Sequence, residues 1–271
     1  MPERTREGRG IPYDNLKIGA PLIFGVGIET RRASNCGNIC GGRRNGIARG
    51  AMKMFLRIGH RGARAYEIEN TLDSFKKAIE LGANAIEMDV RRSKDGELIV
   101  IHDDNLRKVF GKDIRVDEAT LRELKEQTDN KIAALEEALE FIDKKVEKIL
   151  VELKEVGYER RVLEAIKKEK LNDRVIIVSF HEEALVHVRQ TDSKIETGLI
   201  YSRYKNPIDA GLKLNANYLV PLYRFTHTKN ISDAHKRNLK VIVWTINTEK
   251  EVEKYVAKGV DGIASDKPDI F

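Results

Sequence analysis

Cysteine is scarce in this 271-residue chain: there are two, Cys36 and Cys40, and residues 54–271 have none. That excludes a disulfide-stapled body, and a single pair of thiols with no second pair is a poor case for a structural zinc site. No stretch approaches the roughly 18–20 apolar residues that a membrane-spanning helix needs. The run LKIGAPLIFGVGI (16–28) comes nearest to a targeting segment, but acids precede it and no clean small-residue cleavage site follows. A signal peptide is therefore not expected, and a cytoplasmic location is. After residue 53 no glycine-rich phosphate turn joins a strand to a helix, which argues against an open dinucleotide-binding sheet. That part of the chain also lacks a charge imbalance. Residues 1–53 carry ten Lys or Arg against four acids, while the rest carries 39 bases and 39 acids, so the net charge of +6 sits in the N-terminal segment. A balanced body gives no reason to expect a nucleic-acid partner. Residues 1–53 also hold ten of the twenty glycines and show no sustained periodicity. They read as a basic extension that does not fold, or as sequence upstream of a true start at Met52 or Met54. The folded domain is expected over 54–271.

What the chain does have is a repeating beat. Apolar runs of strand length begin near residues 54, 84, 148, 174, 196, 217, 240 and 261. Each except the last precedes a segment of helical spacing: 71–82, 133–145, 158–170, 182–190, 207–214, 232–238 and 248–259. In the first of these Leu72, Phe75 and Ile79 share a face, Asn70 is the expected cap and Gly82 the stop. SKDG (93–96) predicts a turn that folds ELIVIHDD (97–104) back on the second strand, followed by a polar, irregular stretch to about Lys131. Eight βα units in about 218 residues fit a closed (β/α)8 barrel, a single α/β domain with a short hairpin and insertion after its second strand.

In such a barrel the active site lies where the strands end. Strand one ends in His60 and Arg61. Strand two carries Glu87 and Asp89, two apart and so on one side of the sheet. The hairpin ends in His102 and Asp103. Strand three carries Glu152 and Lys154, and strands seven and eight end near Trp244 and Asp266. Charged groups in apolar strands are costly unless paired or used. Three converging carboxylates repel one another unless a cation joins them, and oxygen ligands alone suit Mg²⁺ or Ca²⁺. Arg61 and Lys154 predict an anionic substrate, and two histidines can exchange protons near neutral pH. Together these residues describe metal-assisted cleavage of a phosphate ester. Taken singly, each has a blander reading: a backbone-bonded strand-end histidine, barrel ion pairs, a core tryptophan. The other four histidines, His181, His187, His227 and His235, read as surface or structural.

The series HRG (60–62), ENT (69–71), EMD (87–89), VIHD (100–103), VELK (151–154), VSF (178–180), VWTIN (243–247) and SDKP (265–268) resembles the glycerophosphodiester phosphodiesterase family from about Met54 to Phe271. The resemblance implies a barrel with one divalent cation that hydrolyses glycerophosphodiesters to glycerol 3-phosphate and an alcohol. It implies that His60 and His102 form the acid/base pair and that Glu87, Asp89 and Glu152 hold the metal. It also places Arg61 and Lys154 on the phosphate, Trp244 in the substrate pocket wall and Glu69 in support beside His60. Ile68 stands where the family often has proline. DNLRKVFG (104–111) replaces the family's usual acid-Arg-Thr run, in a region that bears on head-group choice. The partner is expected to be a small phosphodiester. A lysophospholipase D acting on the same barrel is the alternative enzyme, and a non-enzymatic binder of anionic metabolites is the alternative outside catalysis.

Overall fold

A computed structural model describes residues 54–271. The expectation for residues 1–53 lies outside the described residues. Eight parallel strands close on themselves: β1 (Leu56–Gly59), β2 (Ala85–Arg92), β4 (Lys148–Leu153), β5 (Val175–Ser179), β6 (Glu196–Tyr201), β7 (Tyr218–Pro221), β8 (Lys240–Val243) and β9 (Gly262–Ser265). Each pairs with the next, and β1 pairs with both β9 and β2, which completes a (β/α)8 barrel. A ninth strand, β3 (Leu98–Val100), runs antiparallel to the far end of β2, with Val90 facing Val100. All eight expected barrel strands and the expected hairpin are present.

The two-residue period of a strand sorts its side chains between two interiors. On β2, Ile86, Met88 and Val90 face the helices; on β4, Ile149, Val151 and Leu153 do the same. The helix layer comprises α1 (Leu72–Glu80), α2 (Arg107–Phe110), α3 (Leu121–Gln127), α4 (Leu135–Ile142), α5 (Glu159–Lys168), α6 (Glu182–Thr191), α7 (Pro207–Lys213), α8 (Thr228–His235) and α9 (Glu249–Ala257). Inside the barrel a separate cluster holds Leu56, Ile58, Leu150, Ile176, Val178, Ile200, Val220 and Ile242. Each such buried side chain contributes roughly 1.5–3 kcal/mol. The inward positions of β2 and β4 beyond Ala85 and Leu150 are Glu87, Asp89 and Glu152, so the apolar core stops where the acids begin.

Three local expectations are corrected. Thr71, not Asn70, caps α1, accepting a hydrogen bond from the Ser74 N–H; Asn70 has φ 58° and commits its amide elsewhere. The stretch to Lys131 is not wholly irregular. It contains α2 and α3, the latter opened by a reciprocal capping box between Thr120 and Glu123. These pieces cover a small satellite core of Ile99, Ile101, Leu106, Val116, Leu124 and Ile132. Finally, α8 begins at Thr228, four residues earlier than its polar start indicates, because burial of Ile231 and Ala234 outweighs weak local propensity.

Candidate active site

Strand register assembles the site. Ile58 and Gly59 lie beside Ala85 and Ile86, so the chain leaving β1 arrives level with Glu87. Arg61 takes a left-handed conformation there, φ 54°, and its N–H donates to Glu87 Oε2 at 2.8 Å. Gly62 follows at φ 81°, packed so tightly that an added Cβ would lie 2.3 Å from Ser74 Oγ and 2.6 Å from the Ser74 carbonyl carbon. Only glycine fits there. On the other side of β2, Asp89 lies directly beside Glu152 of β4.

Carboxylate oxygens of Glu87, Asp89 and Glu152 all fall within 4.8 Å of one another, and all three residues are buried. Lys154 Nζ donates to Glu152 Oε1 at 2.5 Å and lies 3.3 Å from Asp89 Oδ1. Arg61 Nε lies 3.2 Å from Asp89 Oδ2. Asn70 clamps Asp89 from behind: its Nδ2 donates to Asp89 Oδ2 at 2.8 Å, and its Oδ1 accepts from the Asp89 N–H at 3.2 Å. Glu87 Oε1 is buried with no hydrogen-bond donor among the described residues. A buried carboxylate oxygen without a donor is expensive, and a cation there would repay the cost. The carboxyls titrate apart for physical reasons. Burial, the Asp89 charge and the Glu152 charge push Glu87 well above the usual carboxylate range. Burial and Asp89 raise Glu152 to about 7, against the opposing pull of Lys154. Burial also opposes ionisation of Asp89, but Lys154, Arg61 and His102 together hold it at about 2.

Each histidine has a carboxylate behind it. His60 Nδ1 lies 2.7 Å from Asp266 Oδ1, and Asp266 Oδ2 accepts from Asn247 Nδ2 at 2.8 Å. His102 Nδ1 lies 2.6 Å from Asp103 Oδ1. Burial opposes ionisation of both aspartates, but their histidine partners hold each below the ordinary range. An ionised carboxylate can only accept, so Nδ1 carries a proton in both rings and Nε2 is the nitrogen left to exchange one. Burial, helped by Arg61 and Lys154 and opposed by Asp89, lowers the pKa of His102. The hairpin holds His102 in place: Ile101 N–H donates to the Asp89 carbonyl at 2.9 Å, and Arg91 Nε donates to the His102 carbonyl at 2.7 Å.

Both histidines line a cavity of about 150 Å³ with Arg61, Glu87, Glu152, Lys154 and Trp244. Its opposite wall is apolar, built from Val178, Ile200, Val220, Ile242 and Phe180. Trp244 is fixed by its indole N–H, which donates to the Val220 carbonyl at 2.9 Å, and by edge-on packing with Phe180 at 5.7 Å. Asp89 and Glu69 are the two expected site residues that do not line this cavity. Glu69 lies to one side, accepting from Arg61 Nη1 at 2.8 Å with Arg64 Nε 3.1 Å away. Glu69 so placed contacts Arg61 and Arg64 and not the cavity. Sequence reasoning gave no role to Asp103, Asp266 or Phe180 and the wrong one to Asn70. The signals were present as the acids directly following His102 and Ser265.

A (β/α)8 barrel with paired histidines, a buried acidic triad and two cations at its C-terminal mouth defines a phosphoester-cleaving class of enzyme. The profile of the glycerophosphoryl diester phosphodiesterase family matches residues 60–270. The chain belongs to that family and is a phosphodiesterase. It is 32% identical over 230 residues to a glycerophosphodiester phosphodiesterase of Caldanaerobacter subterraneus subsp. tengcongensis, covering 79% of this chain and 95% of that protein. The crystal structure of a glycerophosphodiester phosphodiesterase from Thermotoga maritima is similar, with TM-score 0.71 and 33% identity, over 80% of this chain and 96% of that one. So is an Oleispira antarctica phosphodiesterase in complex with the product sn-glycerol-3-phosphate, with TM-score 0.71 and 28% identity, over 78% and 93% of the two chains.

Proposed function

We propose that the protein hydrolyses glycerophosphodiesters to glycerol 3-phosphate and an alcohol, with His60 and His102 as the acid/base pair. The observation that carries this reading is two carboxylate-backed histidines facing one cavity beside a buried acidic triad and two cations. Glu87, Asp89 and Glu152 would hold a divalent cation, Mg²⁺ or Ca²⁺, which when bound would neutralise phosphoryl charge. Arg61 and Lys154 bind and orient the phosphate oxygens. His102, its pKa depressed and its Nε2 unprotonated, accepts the proton of the attacking oxygen, whether that belongs to water or to the glycerol 2-hydroxyl. His60, oriented by Asp266 through its Nδ1–H, delivers a second proton, carried on Nε2, to the departing alkoxide. The apolar wall with Trp244 and Phe180 packs the glycerol carbons and excludes water. The cavity suits a glycerophosphoryl group and leaves a head group or acyl chain outside.

The test is release of glycerol 3-phosphate from glycerophosphocholine and glycerophosphoethanolamine, with EDTA and then with Mg²⁺, Mn²⁺ or Ca²⁺ restored. Cation-dependent release is expected. No release of glycerol 3-phosphate with any cation would overturn the reading, and release of the head-group alcohol from a lysophospholipid instead would favour the lysophospholipase D alternative.

A further inference from the structure

The rim of the barrel is unevenly charged. The loops bearing His60 and His102 mix both signs, with Arg61 and Arg64 beside Glu67 and Glu69, and Arg107 and Lys108 following Asp103 and Asp104. The loops after β6 and β7, residues 202–206 and 222–227, with the first turn of α8, hold Arg203, Lys205, Arg224 and Lys229 and no acid up to Asn230. All four bases are exposed, and among the described residues none forms an ion pair with an acid. Arg203 lies instead over the Phe225 ring, 4.6 Å from its centroid, so the two loops meet. Large rings stand in solvent on this same side: Phe180 is 45% exposed, Tyr204 41% and Phe225 38%. They follow the ends of three consecutive strands, β5, β6 and β7. Phe180 also lines the cavity, so its apolar wall emerges at the rim. Acids border this face: Glu182 accepts the Tyr204 hydroxyl, Glu251 acts on Arg224, and Asp209 and Asp233 share the groove between α7 and α8 with Lys205 and Lys229, where Asp233 pairs with Lys236 at 3.0 Å.

We propose that this face of the rim docks on an anionic lipid surface, with Phe180, Tyr204 and Phe225 at head-group level and Arg203, Lys205, Arg224 and Lys229 over lipid phosphates. Aromatic rings suit that boundary because one part of each is apolar and its edges tolerate water. Clustered bases add attraction that salt screens. Single-stranded nucleic acid also favours bases beside rings, but it stacks on open aromatic faces. Here Arg203 already covers one face of Phe225, and the rings stand on separate loops. Docked this way, the cavity mouth lies beside the lipid surface. The inference uses the proposed function only to name that opening as the active-site mouth.

The experiment is co-sedimentation of the full chain with phosphatidylcholine vesicles and with vesicles containing phosphatidylglycerol, in low and high salt. Binding to the phosphatidylglycerol vesicles, weakened by salt, is expected. Lys205→Gln with Lys229→Gln should lower partitioning on the order of 30-fold. Phe225→Ser should lower it at both salt concentrations. Hydrolysis of a soluble glycerophosphodiester should be unchanged in both variants, which also certifies their folding. Equal binding by wild type and both variants would place the attraction elsewhere in the chain and overturn the proposal. Absence of vesicle binding, or preference for a single-stranded oligonucleotide, would overturn it as well. Because the readout is binding, vesicle capture by an enzyme without diesterase activity would refute the proposed function alone.

Discussion

At the scale of single residues, each histidine is backed by a carboxylate that fixes its tautomer, so the proposed proton transfers fall to Nε2. His60→Ala and His102→Ala should each cut turnover about 10²–10⁴-fold while leaving the Tm near that of the wild type. Turnover within a few-fold of wild type in either variant would remove that histidine from the mechanism. Asp266→Asn tests the layer behind. An asparagine can present its N–H to Nδ1, favouring the wrong tautomer of His60. The expected result is a loss in kcat of roughly 10²-fold with KM little changed, because Asp266 orients the ring and is not itself placed on substrate. A loss expressed wholly in KM would show that Asp266 contacts substrate directly.

At the scale of elements, the β1–α1 connection carries the tightest constraint. Gly62 combines a positive φ with backbone packed against it, and the same turn delivers the Arg61 N–H to Glu87. Gly62→Ala should cost more than about 2 kcal/mol, because the start of α1 would have to move. The displacement should reach Arg61 and His60, so activity should fall beyond what the residual folded fraction explains. Denaturant melts together with specific activity decide this; a neutral substitution would mean that the turn relaxes freely. The hairpin built on β2 and β3 does a comparable job for His102. Extending β2 past the barrel rim and folding it back puts a second histidine above acids that β2 itself supplies.

For the whole molecule, the acidic triad is a stored cost. Glu152 has its pKa raised to about 7, so the folded state holds that proton more tightly than the unfolded chain does. Its contribution therefore lowers stability as pH rises from the ordinary carboxylate range toward 7. Glu87, also raised, acts in the same sense. The lowered pKa of His102 acts oppositely below its ordinary 6.5, and that of Asp89 does so below 3.8. A difference measurement isolates Glu152. In EDTA, the Tm of Glu152→Gln minus that of the wild type should increase between about pH 5 and pH 8. Restoring Mg²⁺ or Ca²⁺ should reverse the order by stabilising the wild type alone, and more so at pH 8, because a cation needs deprotonated ligands. A flat difference without cation, or equal stabilisation of both proteins by cation, would count against the triad as a metal centre.

The sequence alone determined the barrel. Strand and helix periods are local properties of the chain, and eight βα units leave few other ways to bury both faces of a parallel sheet. It also determined which residue types meet at the mouth, because strand ends share one face: His60, Arg61, Glu87, Asp89, His102, Glu152, Lys154 and Trp244 converge as their positions along the strands require. Tertiary structure decided what depends on contacts between distant segments. The pairing of Asp266 with His60 spans 206 residues. The clamp of Asn70 on Asp89 arises only when α1 seats against β2, which is why a local reading took Asn70 for a helix cap. Short α3 and the early start of α8 rest on burial of a few apolar side chains, too few to leave a period in the sequence. The gathering of exposed bases and rings on the loops after β5, β6 and β7 was equally hidden, since it depends on which loops stand next to one another once the sheet has closed.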